Sequence, residues 1–279
     1  MPAAKTWFVT GASSGLGRAF ADYALATGDA VVATARDPAK LADLAARAPD
    51  QVLALALDVD KPGAAQAAVD AAVARFGGID VLVANAGRGI VGAVEETPEA
   101  ELRAVMETNF FGAVAVIRAA LPLLRAQRRG AIVAVSSLNG QSSIAGIGAY
   151  SASKFALEGL CEALAAELAP FDVKVLIVEP GAFRTGILGS ALRTMPAMDA
   201  YHGTVGGTRD RLHQLHGVQP GDPAKVPPAV ARALTAERTP LRLQLGADAV
   251  DAVRGHAETL LADLATWEQV ALATGFDDG

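Results

Sequence analysis

Seven short runs of β-branched and small apolar residues recur along the chain, each separated from the next by an alanine-rich stretch with helical periodicity. The runs lie at residues 6–10, 30–35, 52–57, 79–84, 131–136, 174–179 and 241–245. Amphipathic segments lie near 15–27, 38–48, 62–76, 98–127, 150–169 and 223–236, with a last helix over about 248–273. Strands that are apolar on both faces and separated by helices specify parallel units with right-handed crossovers. The expected fold class is α/β: one Rossmann-type, doubly wound domain over residues 1–279, with a seven-stranded parallel sheet and helices on both faces. The punctuation agrees. Thr97-Pro98-Glu99 supplies a cap, a first-turn proline and an acid near the positive end of the helix dipole, and Asp222-Pro223 opens a later helix in the same way. Residues 186–222 show no strong periodicity, and an irregular stretch of that length reads as a substrate lid.

Composition narrows the function. Of 279 residues, 52% are hydrophobic and 19% charged, which describes a filled core. A net charge of −6 offers no basic stripe for nucleic acid. Cys161 is the single cysteine, so an internal disulfide and a thiolate metal cluster are excluded, and no metal site is expected. Arg118 and Pro122 interrupt the apolar run at 112–124, so no membrane span is expected, and the N-terminus enters a strand without a signal-peptide pattern. These readings favour a cytoplasmic protein.

Between the first strand and first helix lies Thr10-Gly11-Ala12-Ser13-Ser14-Gly15-Leu16-Gly17. Glycines there permit a tight turn and close approach of a pyrophosphate, which the helix N-terminus then receives. The string Gly-x-Gly-x-x-Gly occurs instead at Gly87, Gly89 and Gly92, but residues 93–98 do not open a helix directly after it, so it reads as a decoy.

Tyr150-Ser-Ala-Ser-Lys154 places a phenol and an ammonium one helical turn apart, with Ser137 thirteen positions upstream. An adjacent ammonium favours the phenolate and is expected to lower the tyrosine pKa, which makes Tyr150 a general acid/base. Ser136 competes with Ser137 for the serine role on register alone.

The ordered set Thr10–Gly17, Asp58-Val59, Asn85-Ala86-Gly87, Asn109, Ser137, Tyr150–Lys154 and Pro180-Gly181 through Thr185 resembles the short-chain dehydrogenase/reductase family. The likeness spans about residues 5–185, and the stretch after Lys154 is similar to the branch containing 17β-hydroxysteroid dehydrogenases. It implies a catalytic set of Asn109, Ser137, Tyr150 and Lys154. Asn109 would bend its helix and anchor a water leading to Lys154. It also implies that Gly11, Ser13, Ser14, Gly15, Leu16 and Gly17 hold the cofactor phosphates. Asp58 and Val59 would hold the adenine, and Asn85, Ala86 and Gly87 would underlie the ribose. Pro180, Gly181, Phe183 and Thr185 would hold the nicotinamide, whose ribose Lys154 would grip. The expected thirteen-residue interval favours Ser137 over Ser136.

In such folds an acid at the end of the second strand binds the adenosine ribose, whereas arginine suits a 2′-phosphate. Ala35 stands at the acidic position and Arg36 follows, so NADP(H) is preferred, with NAD(H) as the alternative; Asp37 is the competing acid if it turns inward. The expected activity interconverts a ketone or aldehyde and its alcohol, a small-molecule carbonyl/alcohol substrate. The alternatives are an NAD-linked alcohol dehydrogenase, a non-catalytic nicotinamide-binding regulator, and an epimerase or dehydratase using the same site. Ile187, Leu188, Leu192, Met195, Met198 and Tyr201 are expected to wall an apolar pocket. The resemblance implies a homodimer or homotetramer built on helices 98–127 and 150–169, with the C-terminal helix limiting assembly. Cys161 reads as core filler, and His213 and His216 as lid surface.

Overall fold

All seven apolar runs become strands of one parallel sheet in a computed structural model that describes residues 4–276. The first half runs β1 (Thr6–Val9), α1 (Gly15–Ala26), β2 (Ala30–Ala35), α2 (Ala42–Arg47), β3 (Val52–Ala56), α3 (Ala64–Phe76), β4 (Val81–Ala84), β5 (Gly89–Val91), α4 (Glu99–Met106) and α5 (Ala113–Gln127). The second runs β6 (Ala131–Val135), α6 (Gly148–Leu168), β7 (Lys174–Pro180), β8 (Leu192–Thr194), α7 (Gly207–Leu215), α8 (Val226–Thr235), β9 (Arg242–Leu245) and α9 (Ala247–Leu272). The sheet order is β3-β2-β1-β4-β6-β7-β9, and each neighbouring pair is parallel. The order reverses between β1 and β4, and a crevice opens there at the carboxyl ends of the strands, where doubly wound sheets bind ligands.

Alternation along the strands divides the core into two layers. Phe8, Val32, Leu82, Ile132 and Ile177 pack with Val69 of α3, Ile117 and Leu124 of α5 and Leu157 of α6. Val9, Val31, Val83, Val133 and Leu176 face the other way, against Phe20 of α1 and Val230 of α8. Burial on both faces is why the strands read as unbroken apolar runs.

Two regions depart from the sequence expectation. The helix expected over 98–127 is α4 and α5 joined by a π-helical turn, Glu107–Gly112, that contains Asn109. This combined stretch is long and apolar enough to cross a membrane by length and composition. Its stripe Val116, Ile117, Ala120 and Leu124 is nevertheless buried in the core layer.

The region 186–222 is ordered rather than irregular. β8 pairs with β5 as a second, two-stranded parallel sheet, and α7 follows. A buried polar clamp adds to that pairing. Glu96 is buried and accepts from Ala93 N at 2.6 Å and from Met198 N at 2.7 Å, while the Arg209 guanidinium donates to the same carboxylate. The decoy string supplies the other half of this joint: Gly89 begins β5, and a Cβ on Gly92 would strike the Met195 side chain at 2.6 Å.

Candidate active site

The cleft at the β1/β4 reversal holds about 680 Å³. At its floor Gly11 and Gly15 adopt left-handed φ of +67° and +56°, which a side chain resists. Ser14 precedes α1 in extended conformation and its side chain makes no cap hydrogen bond, so the first N–H groups of a twelve-residue helix face the cleft. Ser13, Ser14, Gly15 and Leu16 line it, as expected. Gly17 does not. It is buried beneath the turn, where a Cβ would collide with the Gly11 carbonyl and lie 2.6 Å from Asn85 Nδ2. Its glycine lets the helix pack closely on the Gly11 turn.

Thr10 ties this turn to β4. Its hydroxyl accepts from Asn85 N at 2.8 Å and Ala86 N at 2.9 Å, and its carbonyl accepts from Asn85 Nδ2 at 2.8 Å. Asn85, Ala86 and Gly87 therefore present their backbone to the cleft beside Gly11. Asp58 and Val59 form the next wall, and Asp58 Oδ1 also caps Asp60 N at 3.2 Å. At the end of β2, Arg36 is exposed and lines the cleft together with Lys40, a residue the sequence reading missed. Asp37 does not line the cleft; its carboxylate caps Ala39 N at 3.1 Å.

The opposite wall carries Ser137, Tyr150 and Lys154. β6 ends at Val135, Ser136 and Ser137 follow it directly, and α6 opens just before Tyr150. Both serines line the cleft, but their hydroxyls have different partners. Ser136 Oγ turns away and donates to Glu158 Oε1 at 2.7 Å, while the Ser137 hydroxyl faces the Tyr150 phenol. Lys154 Nζ donates to Val135 O at 2.9 Å and sits 5.9 Å from the centre of the Tyr150 ring.

Here the expected lowering of the tyrosine pKa is not found. Tyr150 shows part of its ring to the cleft, but burial around its hydroxyl pushes the phenol above its ordinary value, and Ser137 opposes that only in part. Lys154 is itself desolvated and falls to about 8, with Glu158 pulling the other way.

Asn109 does not line the cleft. Its Oδ1 accepts from Arg88 N at 2.8 Å, and its Nδ2 donates to Arg88 O and to Ser153 Oγ, both at 3.0 Å. Ser153 Oγ in turn donates to Tyr150 O at 2.6 Å. Asn109 therefore ties the loop after β4 to the first turns of α6.

Pro180, Gly181, Phe183 and Thr185 close the cleft above the end of β7. Ala182 N donates to Asp248 Oδ2 at 2.7 Å, and a Cβ on Gly181 would fall inside that carboxylate. Asp248, in the first turn of α9, is a second residue the sequence reading missed. Of the expected apolar pocket, Ile187 and Leu192 reach the cleft, with Ser190, Ala191 and Arg193 between and beside them. Met195 packs instead with Ile90 and Val105, Met198 is exposed, and Tyr201 donates to Glu95 at 2.5 Å.

A left-handed glycine turn, an uncapped helix N-terminus and a long cleft fit a dinucleotide, and a Ser, Tyr and Lys set at its far end adds proton transfer. Fold and site together define an oxidoreductase. The sequence pattern of the short chain dehydrogenase family matches residues 5–195, and this chain belongs to that family. Oxidoreductase BOA17 of Botryotinia fuckeliana (strain B05.10) is 38% identical over 271 residues, 97% of this chain and 99% of that protein. The crystal structure of a short-chain dehydrogenase from Streptomyces avermitilis superposes with a TM-score of 0.93 at 50% identity, over 98% of this chain and all of the other. A short chain dehydrogenase/reductase from Burkholderia phymatum, solved in complex with NAD, gives 0.82 at 25% identity over 93% of this chain and 95% of its own.

Proposed function

We propose that the chain is an NADP(H)-dependent enzyme interconverting a ketone or aldehyde and the corresponding alcohol. The observation that carries this reading is the meeting of Ser137, Tyr150 and Lys154 on one wall of the cleft whose other end is the Gly11–Gly15 turn. A nicotinamide held against Pro180, Gly181, Phe183 and Thr185 would supply hydride in reduction and accept it in oxidation. Tyr150 Oη delivers a proton to the substrate oxygen, and the raised pKa keeps it in the donating form. Ser137 Oγ holds the same oxygen. Lys154, anchored on Val135 O, places its ammonium beside Gly87, where it holds the ribose and favours the phenolate left after transfer. Asn109 keeps the walls in register through Arg88 and Ser153.

The preference for NADP(H) is supported by Arg36 and Lys40 at the adenosine end and by the engagement of Asp37 as a cap. Ile187 and Leu192 make part of the substrate wall apolar.

Oxidation of NADPH against a panel of ketones, aldehydes, ketosteroids and 3-oxoacyl compounds tests the activity. Tyr150→Phe should bind NADPH normally and lose about 10²- to 10⁴-fold in turnover; wild-type turnover would refute the mechanism. Arg36→Ala should raise KM for NADPH far more than for NADH, and equal effects on the two would sink the preference.

A further inference from the structure

The C-terminal helix leaves the body of the protein almost at once. Asp248 and the buried Ala249 fix its root, yet from residue 257 to 272 every residue is exposed. Its 26 residues span about 39 Å. Helices of ordinary proteins draw most of their stability from packing one face, and beyond its root none of the described residues covers a face of this one. Nor are its side chains those of a solvated helix. Leu260, Leu261, Leu264, Trp267 and Val270 each expose more than half of their surface, from 56% to 66%. Val253, Ala257, Leu260, Leu264, Trp267 and Ala271 follow the alternating three- and four-residue spacing of a two-stranded coiled-coil seam.

We propose that α9 pairs antiparallel with α9 of a second copy of this chain, about a two-fold axis near Ala262. In that register the seam is complementary to itself. Ala257 makes room for the partner's Trp267, Leu260 meets the partner's Leu264, Val253 meets the partner's Ala271, and Leu261 meets its own counterpart. Arg254 is the single Lys or Arg of the helix, and it falls opposite the partner's Glu268, a pairing that symmetry makes twice. A parallel, in-register pair would instead set Trp267 on the partner's Trp267 and leave Arg254 facing no acid of the partner, whereas the antiparallel pair leaves only Asp263 near a like charge, its own counterpart at the axis. The antiparallel seam buries on the order of 1,000 Å² over both copies, the size at which a specific interface begins. The five acidic residues of the helix against one arginine disfavour an anionic lipid surface as the occupant.

The test is sedimentation equilibrium of the full chain over a range of concentrations, with acrylamide quenching of tryptophan fluorescence on the same samples. Of the two tryptophans Trp7 is buried, so the quenchable signal belongs to Trp267. Trp267 should become less quenchable in step with association. Leu264→Asp, at an exposed position that leaves folding intact, should weaken that association by about a hundredfold or more, lower the assembly mass by a factor of two and keep Trp267 open. Arg254→Glu and Glu268→Arg should each weaken pairing by about fivefold, and the double variant should recover it. The proposal is overturned if Trp267 stays quenchable in the assembled protein, if Leu264→Asp leaves the mass unchanged, or if the two charge reversals add instead of cancelling. Protection of Trp267 by phosphatidylcholine–phosphatidylglycerol vesicles but not by raised protein concentration would overturn it equally.

Discussion

Glu179→Gln should stabilise the protein at alkaline pH and do progressively less as pH falls. Glu179 has no exposed surface and shares Arg242 with Glu158. Arg242 Nε stands 2.8 Å from Glu158 Oε2 and 3.6 Å from Glu179 Oε1, and its far nitrogen is engaged by Glu162 at 2.6 Å. Glu158 is further served by Ser136 and by Gln141. Glu179 receives one hydrogen bond, from Gln244 at 2.8 Å, and its Oε1 has none. One arginine cannot satisfy two buried carboxylates. Desolvation first, then repulsion from Glu158, raises Glu179 from 4.5 to about 7. A raised carboxyl holds in the folded state a proton that the unfolded chain has released, so its stability contribution is fullest below 4.5 and is lost as pH climbs towards about 7. At about 1.4 kcal/mol per pH unit the window bounds the loss at about 3 kcal/mol, and sharing the proton with Glu158 brings the expected value to about 1–2 kcal/mol. Glutamine has the same shape, keeps the Gln244 contact and carries no charge. Urea unfolding at pH 5 and pH 8 should therefore show the advantage of the variant widening by about 1–2 kcal/mol. An advantage that is flat or narrows between the two pH values refutes the shared-arginine reasoning.

Gly17→Ala should cost about 1–3 kcal/mol in urea unfolding, since its Cβ meets backbone that cannot yield; a neutral result would mean that the turn gives way. Glu96→Ala removes the acceptor of Met198 N and the partner of the buried Arg209. Limited proteolysis within residues 186–222 should then accelerate by about tenfold or more, and an unchanged cleavage rate would show that the β5–β8 pairing suffices alone.

The strands and the glycine turn after β1 were legible because each depends on neighbours in the chain. Burial on both sides forces apolar runs, and a left-handed turn forces glycine. Residue type could not separate Gly15 from Gly17, since φ selects the first and the Gly11 carbonyl behind it selects the second. The order within 186–222 was illegible for another reason: its contacts are distant in sequence, such as Glu96 with Arg209, 113 residues apart, and β5 with β8, which leaves no local periodicity to read. The sign of the Tyr150 shift failed because it balances two effects. Spacing announces the ammonium one turn away, but the enclosure of the hydroxyl comes from walls supplied by other segments.

Asp248 extends the same physics to the end of the cleft that lies above β7. Pro180-Gly181 reads as a loop shaped for a ligand, yet the space beside Gly181 is taken by a carboxylate from the first turn of α9, 67 positions later. That carboxylate accepts from Ala182 N and so fixes the backbone from which Phe183 and Thr185 reach the cleft. The glycine is required by the helix as much as by any ligand. The loop and the root of α9 therefore form one structural unit.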